Sequence, residues 1–237
     1  MESKITNHEL SFLSSNEYWG RGVMIGTVGR KIAVAYFIMG RSENSRNRYF
    51  YQEDNNVAIA PYDPDKLEDP TLIIYYPIKT CGEHLIVTNG DQTDTVEEFL
   101  QNGKAFEEGL RTREFEPDAP HFTPRISGIV DVNSGFSKLS ILKNIDGLGK
   151  ECGRYFYEYA PVSGMARFIH TYEGNDTPLP TFEGEPWKVV IPEDLDEFTG
   201  QIWNNLNSDN KISLCTMMID MDTQERDIRI LNKRMGD

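Results

Sequence analysis

The run KIAVAYFIM, residues 31–39, and the shorter GVMIGT, residues 22–27, flank a Gly29-Arg30 turn. Both are apolar and rich in β-formers, and two such runs around a tight glycine turn read as a β-hairpin. Outward from this hairpin, residues 49–52 and 57–60 read as shorter strands around Asp54-Asn55-Asn56. Residues 63–70 are a polar, proline-bounded connection. Residues 71–79 and 85–88 are again strand-like, around a Gly82 turn.

The period then changes. Across residues 94–110, Val96, Phe99, Leu100, Phe106 and Leu110 have helical spacing, and Asn102-Gly103 divides the segment into two short helices. Residues 116–124 carry three prolines and read as an ordered loop. Four strands follow at 125–132, 138–142, 154–159 and 165–172, then a loop at 174–186 and a strand at 187–191. Residues 193–206 read as a helix with an acidic first turn and with Leu195, Phe198, Ile202, Trp203 and Leu206 on one face. Residues 212–221 and 226–232 form a closing hairpin. Connections of hairpin length predict largely antiparallel sheets, hence an α+β fold. Without repeats or linker-like shifts, residues 1–237 read as one domain.

The chain has 24 Lys+Arg against 38 Asp+Glu, a formal charge of −14. Phosphate-backbone binding draws on clustered cations, so this balance argues against a nucleic-acid binder or an anionic membrane surface. Hydrophobic residues at 38% exclude a disordered chain. No apolar run approaches the ~18 residues of a membrane span, and MESKITNHELSF lacks the basic-then-apolar pattern of a signal peptide. Cys81, Cys152 and Cys215 are far apart, and His8, His84, His121 and His170 are scattered. That excludes a zinc pattern and points to free thiols in a reducing cytoplasm.

The densest chemistry is GRSENSRNR, residues 40–48, where Arg41, Arg46 and Arg48 face a single Glu43. A guanidinium donates two parallel hydrogen bonds and stays charged, which suits phosphate. Ser42, Asn44, Ser45 and Asn47 add neutral donors. A solvated hairpin loop and an anchor for a small anion both fit. Gly20-Arg21-Gly22 is a glycine turn entering a strand, without phosphate-loop spacing, and Arg21 is a candidate for pointing into a site. In Thr88-Asn89-Gly90-Asp91-Gln92-Thr93-Asp94, Thr93 or Asp94 is placed to cap a helix. Asn89 is the candidate hydrogen-bond donor. Glu116 is a candidate acid or base and Arg125 an anion ligand, each equally consistent with a surface salt bridge. Asp220-Met221-Asp222 resembles a metal pair, but Met221-Asp222-Thr223 reads more readily as a hairpin tip. There is no GxSxG or HExxH, and Met1 is not a nucleophile.

Together, GRG at 20–22, MGRSENSRNR at 39–48, VTNGDQTD at 87–94, FEPD at 115–118, TPRISGI at 123–129 and HTYEG at 170–174 resemble the IMP cyclohydrolase family first described in archaea, in its bacterial branch. The segments keep the family's order from residue 18 to about 232. The resemblance implies a four-layer αββα sandwich of the N-terminal-nucleophile-hydrolase type, lacking that nucleophile. It also implies a cytoplasmic homotetramer that works without metal or cofactor. The implied reaction closes 5-formamidoimidazole-4-carboxamide ribotide to IMP and water, the last step of purine biosynthesis. The residues then take these roles: Arg41, Ser42, Arg46, Asn47 and Arg48, with Arg21, around the 5′-phosphate; Asn89 and the Gly90 backbone on the formyl oxygen or carboxamide; Glu116 in proton transfer beside Tyr75, Tyr76 or Tyr172; Arg125 on substrate or bracing Glu116. ENS within the arginine motif departs from the family pattern. An amidohydrolase of a small amide and a nucleotide-binding regulator without turnover are the alternatives.

Overall fold

The computed structural model describes residues 7–66 and 73–235. The hairpin forms as β1 (Arg21–Val28) and β2 (Lys31–Met39), with Gly29 at φ 55° in the turn, where glycine carries no Cβ penalty. Next come α1 (Glu43–Arg46), β3 (Tyr49–Glu53), β4 (Asn56–Ala60), β5 (Ile78–Cys81) and β6 (His84–Thr88). Helices α2 (Gln92–Gln101) and α3 (Phe106–Arg111) precede β7 (Arg125–Asp131), β8 (Ser137–Asn144) and β9 (Cys152–Tyr159). The chain continues through β10 (Met165–His170), β11 (Trp187–Val190), α4 (Leu195–Asn205), β12 (Lys211–Asp220) and β13 (Arg226–Asn232).

The strands make two antiparallel sheets, of order β11-β10-β1-β2-β12-β13 and β3-β4-β5-β6-β7-β8-β9. Successive strand side chains point to opposite faces, and β2 shows what this does. Ile32, Val34, Tyr36 and Ile38 enter the core between the sheets, beside Val57, Leu85, Val87 and Leu139 of the second sheet. Ala33, Ala35, Phe37 and Met39 face the other way, against Leu10, Leu13, Phe198 and Ile202 from a 3-10 turn (Leu10–Ser15) and α4. On the far face of the second sheet, Val96, Phe106 and Leu110 of α2 and α3 cover Ile86 and Ile129. The result is an α+β four-layer αββα sandwich. At one edge the Asn232 amide joins the sheets, accepting from Phe50 N (2.9 Å) and donating to Phe50 O (2.9 Å).

Several expectations are corrected. Strand 71–79 is shorter and later. Residues 73–77 are turn and coil before β5, because Pro77 has no N–H to give a ladder. Residues 71–72, part of the 63–70 connection (67–70) and residues 1–6 of the leader reading lie outside the described residues. The arginine segment is not a plain loop, since Ser42 Oγ accepts from Ser45 N (3.1 Å) and caps the single turn α1. Neither Thr93 nor Asp94 caps α2, which starts at Gln92; the Thr93 hydroxyl donates instead to Tyr76 O (2.8 Å). Strand β10 ends at His170, not 172. Asp194 caps α4 by accepting from Glu197 N (2.8 Å).

Strands β1 and β10 approach so closely that a Cβ on Gly26 would lie 2.1 Å from Met165 O and 2.4 Å from Ala166 Cα. Both of those atoms are backbone, so relief requires the strands to part. Gly26→Ala is expected to cost about 1–3 kcal/mol, as overpacking does, and to lower the thermal midpoint by several degrees. An unchanged midpoint in a calorimetric scan would contradict this contact.

Candidate active site

At one end of the sandwich, the chain enters β1 through Gly20 at φ 71°, where any Cβ would lie 2.2 Å from Thr171 Oγ1. That close fit lets Arg21 N donate to Thr171 Oγ1 (3.1 Å) and Thr171 N to Arg21 O (3.0 Å). Arg21 Nη1 donates to Met39 O (3.2 Å), while its Nε is buried with no hydrogen-bond partner. Beside it lies Arg48, 1% exposed, whose Nε is held by Ser45 O (2.9 Å). Among the described residues neither guanidinium forms an ion pair. Burial lowers the Arg48 pKa and the charge of Arg21 lowers it further. For Arg21, burial works against the charge, but Tyr18, Tyr75, Tyr36 and Glu116 outweigh it. A buried and a half-buried cation with spare donors, side by side, are a receptor for an anion.

Between them and the second sheet, Tyr36 Oη and Tyr75 Oη share a hydrogen bond of 2.8 Å, with the Tyr36 ring stacked on Phe50. Burial, then Tyr75, pushes the Tyr36 phenol well above its usual value, against Arg21 and Arg48.

Glu116 is held by its loop. Its N–H donates to Thr123 O (2.9 Å), and the Asp118 carboxylate takes the Thr123 N–H (2.6 Å) and hydroxyl. Thr123 Oγ1 also pairs with Tyr172 Oη (2.6 Å), so Tyr172 braces this loop, and burial raises its pKa. Glu116 is 6% exposed, and burial pushes its carboxyl up to about 7. Arg21, Arg125 and Arg48 pull it down and Asp118 adds to the rise. Near neutrality such a group populates both protonation states, which suits proton transfer.

Gly90 makes room for this convergence. A Cβ there would lie 2.5 Å from Arg125 Nη1, 2.6 Å from Gln92 Oε1 and 3.5 Å from Glu116 Oε1. Arg125 Nη1 donates to Gln92 Oε1 (2.7 Å) and pairs with Asp91 Oδ1 (2.7 Å). Asp91 is tied also to Arg113, and these two cations hold its carboxyl low against burial.

The other expected site residues are placed differently. The Asn89 amide is occupied, donating to Pro124 O (2.8 Å) and accepting from Ile126 N (2.8 Å) and Gln92 Nε2 (3.0 Å). The Gly90 N–H is aimed at Thr88 Oγ1 (3.4 Å). Both therefore shape the α2 turn. Asn47 brackets Asp63, through Nδ2 to O (2.7 Å) and Oδ1 from N (2.9 Å), and Ser42 is the α1 cap. Arg41 lies at the rim, on Asn175 and 5.0 Å from the Tyr18 ring, which stacks on Tyr172. Tyr76 is turned outward onto Glu53 and Lys79, and Arg46 faces a different cleft. His170 is packed among Trp19, Phe168 and Phe182, and burial holds its pKa down at about 3, so it stays neutral. Tyr36, Asp91, Gln92 and Thr123 are members not singled out from sequence. Among the described residues no group of three or more His, Cys, Asp or Glu could hold a metal ion. No helix among them is long and apolar enough to cross a membrane.

Residues 18–224 match a family model described as IMP cyclohydrolase-like protein. The chain is 35% identical to an IMP cyclohydrolase of Methanocaldococcus jannaschii over 119 residues, 49% of this chain and 58% of that one. It is 33% identical to an IMP cyclohydrolase of Methanocella arvoryzae over 118 residues, 48% of this chain and 57% of that one. An IMP cyclohydrolase of Methanopyrus kandleri is 28% identical over 194 residues, covering 75% of this chain and 95% of that one. The chain thus spans under two thirds of the length of the first two relatives.

A carboxyl raised from 4.5 to about 7 on folding makes a signed prediction. Between those values the folded state holds the proton more tightly than the unfolded chain does. The native state therefore loses stability as pH rises through about 7. Glu116→Gln is expected to be more stable than the parent at pH 8 by up to about 3 kcal/mol, and the gap should shrink below pH 7 and close as pH falls through about 4.5. A gap independent of pH would refute the raised carboxyl.

Proposed function

The chain belongs to the IMP cyclohydrolase-like family, and from that membership and the cluster around Glu116 we propose that it closes 5-formamidoimidazole-4-carboxamide ribotide to IMP and water. The observation that carries the reading is a buried carboxyl titrating near neutrality within reach of Arg21, Arg125 and Arg48. Kinship with N-terminal-nucleophile hydrolases, one domain over residues 1–237, a homotetramer and a cytoplasmic location belong to the same proposal and rest on the family.

The reaction is intramolecular. The carboxamide nitrogen attacks the formyl carbon and loses a proton, and the formyl oxygen gains one, giving a carbinolamine. The hydroxyl then leaves as water, taking the proton of the former formamide nitrogen, and the C=N bond forms. An amide nitrogen is a weak nucleophile, so the two arms must be held touching. Such positioning contributes at most about 7–11 kcal/mol in ideal cases, and less here because the arms are already tethered.

In this reading Glu116 moves both protons, neutral as donor to the oxygen and ionised as acceptor from nitrogen. The free donors of Arg21 stabilise the developing oxyanion. Arg48, with Arg41 at the rim, holds the phosphate. The Tyr36–Tyr75 hydroxyl pair offers a further hydrogen bond to the substrate. Gln92 and Asp91 position Arg125, and Tyr172 with Thr123 positions Glu116.

Ultraviolet and chromatographic detection of IMP from the ribotide tests the reading. Glu116→Gln is expected to lower kcat about 10²–10⁴-fold, the usual contribution of a proton-transfer group, with KM little changed. Arg48→Ala is expected to raise KM. Tight ribotide binding with no IMP formed by the parent would replace the enzyme with a nucleotide-binding regulator. Wild-type KM in Arg48→Ala would remove the phosphate assignment.

A further inference from the structure

The segment that brings Arg48 to the Glu116 cluster sends Arg46 elsewhere. Arg46, Tyr62, Asp209, Lys211, Lys233 and Arg234 line a separate cleft of about 190 Å3. It gathers four cations and one carboxylate in a chain of net charge −14. Among the described residues, none of the four cations forms an ion pair.

They are held instead by carbonyls and rings, which fix position without cancelling charge. Arg46 Nε donates to Gly40 O (2.9 Å) and Lys233 Nζ to Asp209 O (3.3 Å). Lys211 Nζ donates to Trp203 O (2.9 Å) and lies 4.4 Å from that ring. The Arg234 guanidinium sits 5.5 Å over the Tyr62 ring. Burial, and then the charge of Lys233, lower the Lys211 pKa, so four cations share the cleft with a single carboxylate. A polyanion is the ligand that relieves such crowding, and guanidinium forks together with ammonium groups are the donors phosphate takes.

We propose that this cleft is a second binding site, separate from the Glu116 cluster, for the oligophosphate group of a small-molecule ligand. It stands independently of the cyclohydrolase reading. It is also wired to the first site. Gly40, whose carbonyl holds Arg46, follows Met39, whose carbonyl holds Arg21. Arg46 and Arg48 flank Asn47 at the end of α1.

Isothermal titration of the whole chain with inorganic tripolyphosphate tests the proposal. The parent and Arg48→Ala should both bind at the cleft, whereas Lys233→Glu/Arg234→Glu should lose at least tenfold in affinity. Lys233→Gln/Arg234→Gln, which removes charge without reversing it, should lose less but in the same direction, and the circular dichroism melts of both pairs should match the parent. Binding abolished by Arg48→Ala and kept by both double variants would overturn the proposal, as would no binding by the parent. A double variant that loses tripolyphosphate and also raises KM for the ribotide would overturn it too, making the cleft part of the substrate's own site. Loss of tripolyphosphate binding with KM unchanged would support it, whether or not the ribotide is turned over.

Discussion

Strand β2 has no face open to water, and this constraint organises the molecule. Each alternate residue of β2 is committed to a different core, one shared with the second sheet and one with α4 and the Leu10–Ser15 turn. A slip of one residue would exchange the two sets. The neighbours β1 and β12 are pinned to the same register, from Arg21 opposite Ile38 to Asp220 opposite Lys31. The strand therefore delivers Tyr36 inward and Met39 O to Arg21 as one rigid act.

On that frame the site is assembled from groups that destabilise one another when empty. Arg48 is a buried cation beside the like charge of a half-buried Arg21, and Glu116 is a carboxyl that three nearby cations fail to hold down because its desolvation outweighs them. An anionic ligand is favoured by the first feature and proton traffic by the second. Ligand binding to such a site returns stability to the native state by mass action. The bracing around it is conventional: Asn89, Asp118, Thr123 and Tyr172 have their polar atoms satisfied by neighbours, so the unsatisfied groups stand out.

Much of the architecture was legible because it follows from local chemistry. Two apolar, β-rich runs around a glycine turn mark the β1–β2 hairpin, and Asn102-Gly103 marks the break between α2 and α3. Pro77 defeated the strand reading of residues 71–79, since apolar character there serves Tyr75's insertion and not a ladder. The motif around Arg48, Glu116 and Arg125 drew attention to residues that the fold does gather. What the sequence hid were choices between neighbours. Tyr75 and Tyr76 are equivalent by type, yet adjacent residues of an extended chain point to opposite sides. The single turn of α1 likewise separates Arg46 from Arg48. Tyr36 is concealed inside an apolar run where a phenol looks like core, and Gln92 inside a helix start where an amide looks like capping.

The amide of Asn232 has a consequence in the order of events during synthesis. It satisfies both backbone groups of Phe50, two residues beyond Arg48, and so ties that segment to the closing strand of the other sheet. A nascent chain can form the β1–β2 hairpin early, but Phe50, two residues beyond Arg48, gains this tie only once residue 232 has been made. The arginine segment and the closing strand are therefore fixed together, and the edge that carries Phe50 is complete only when both sheets are in place.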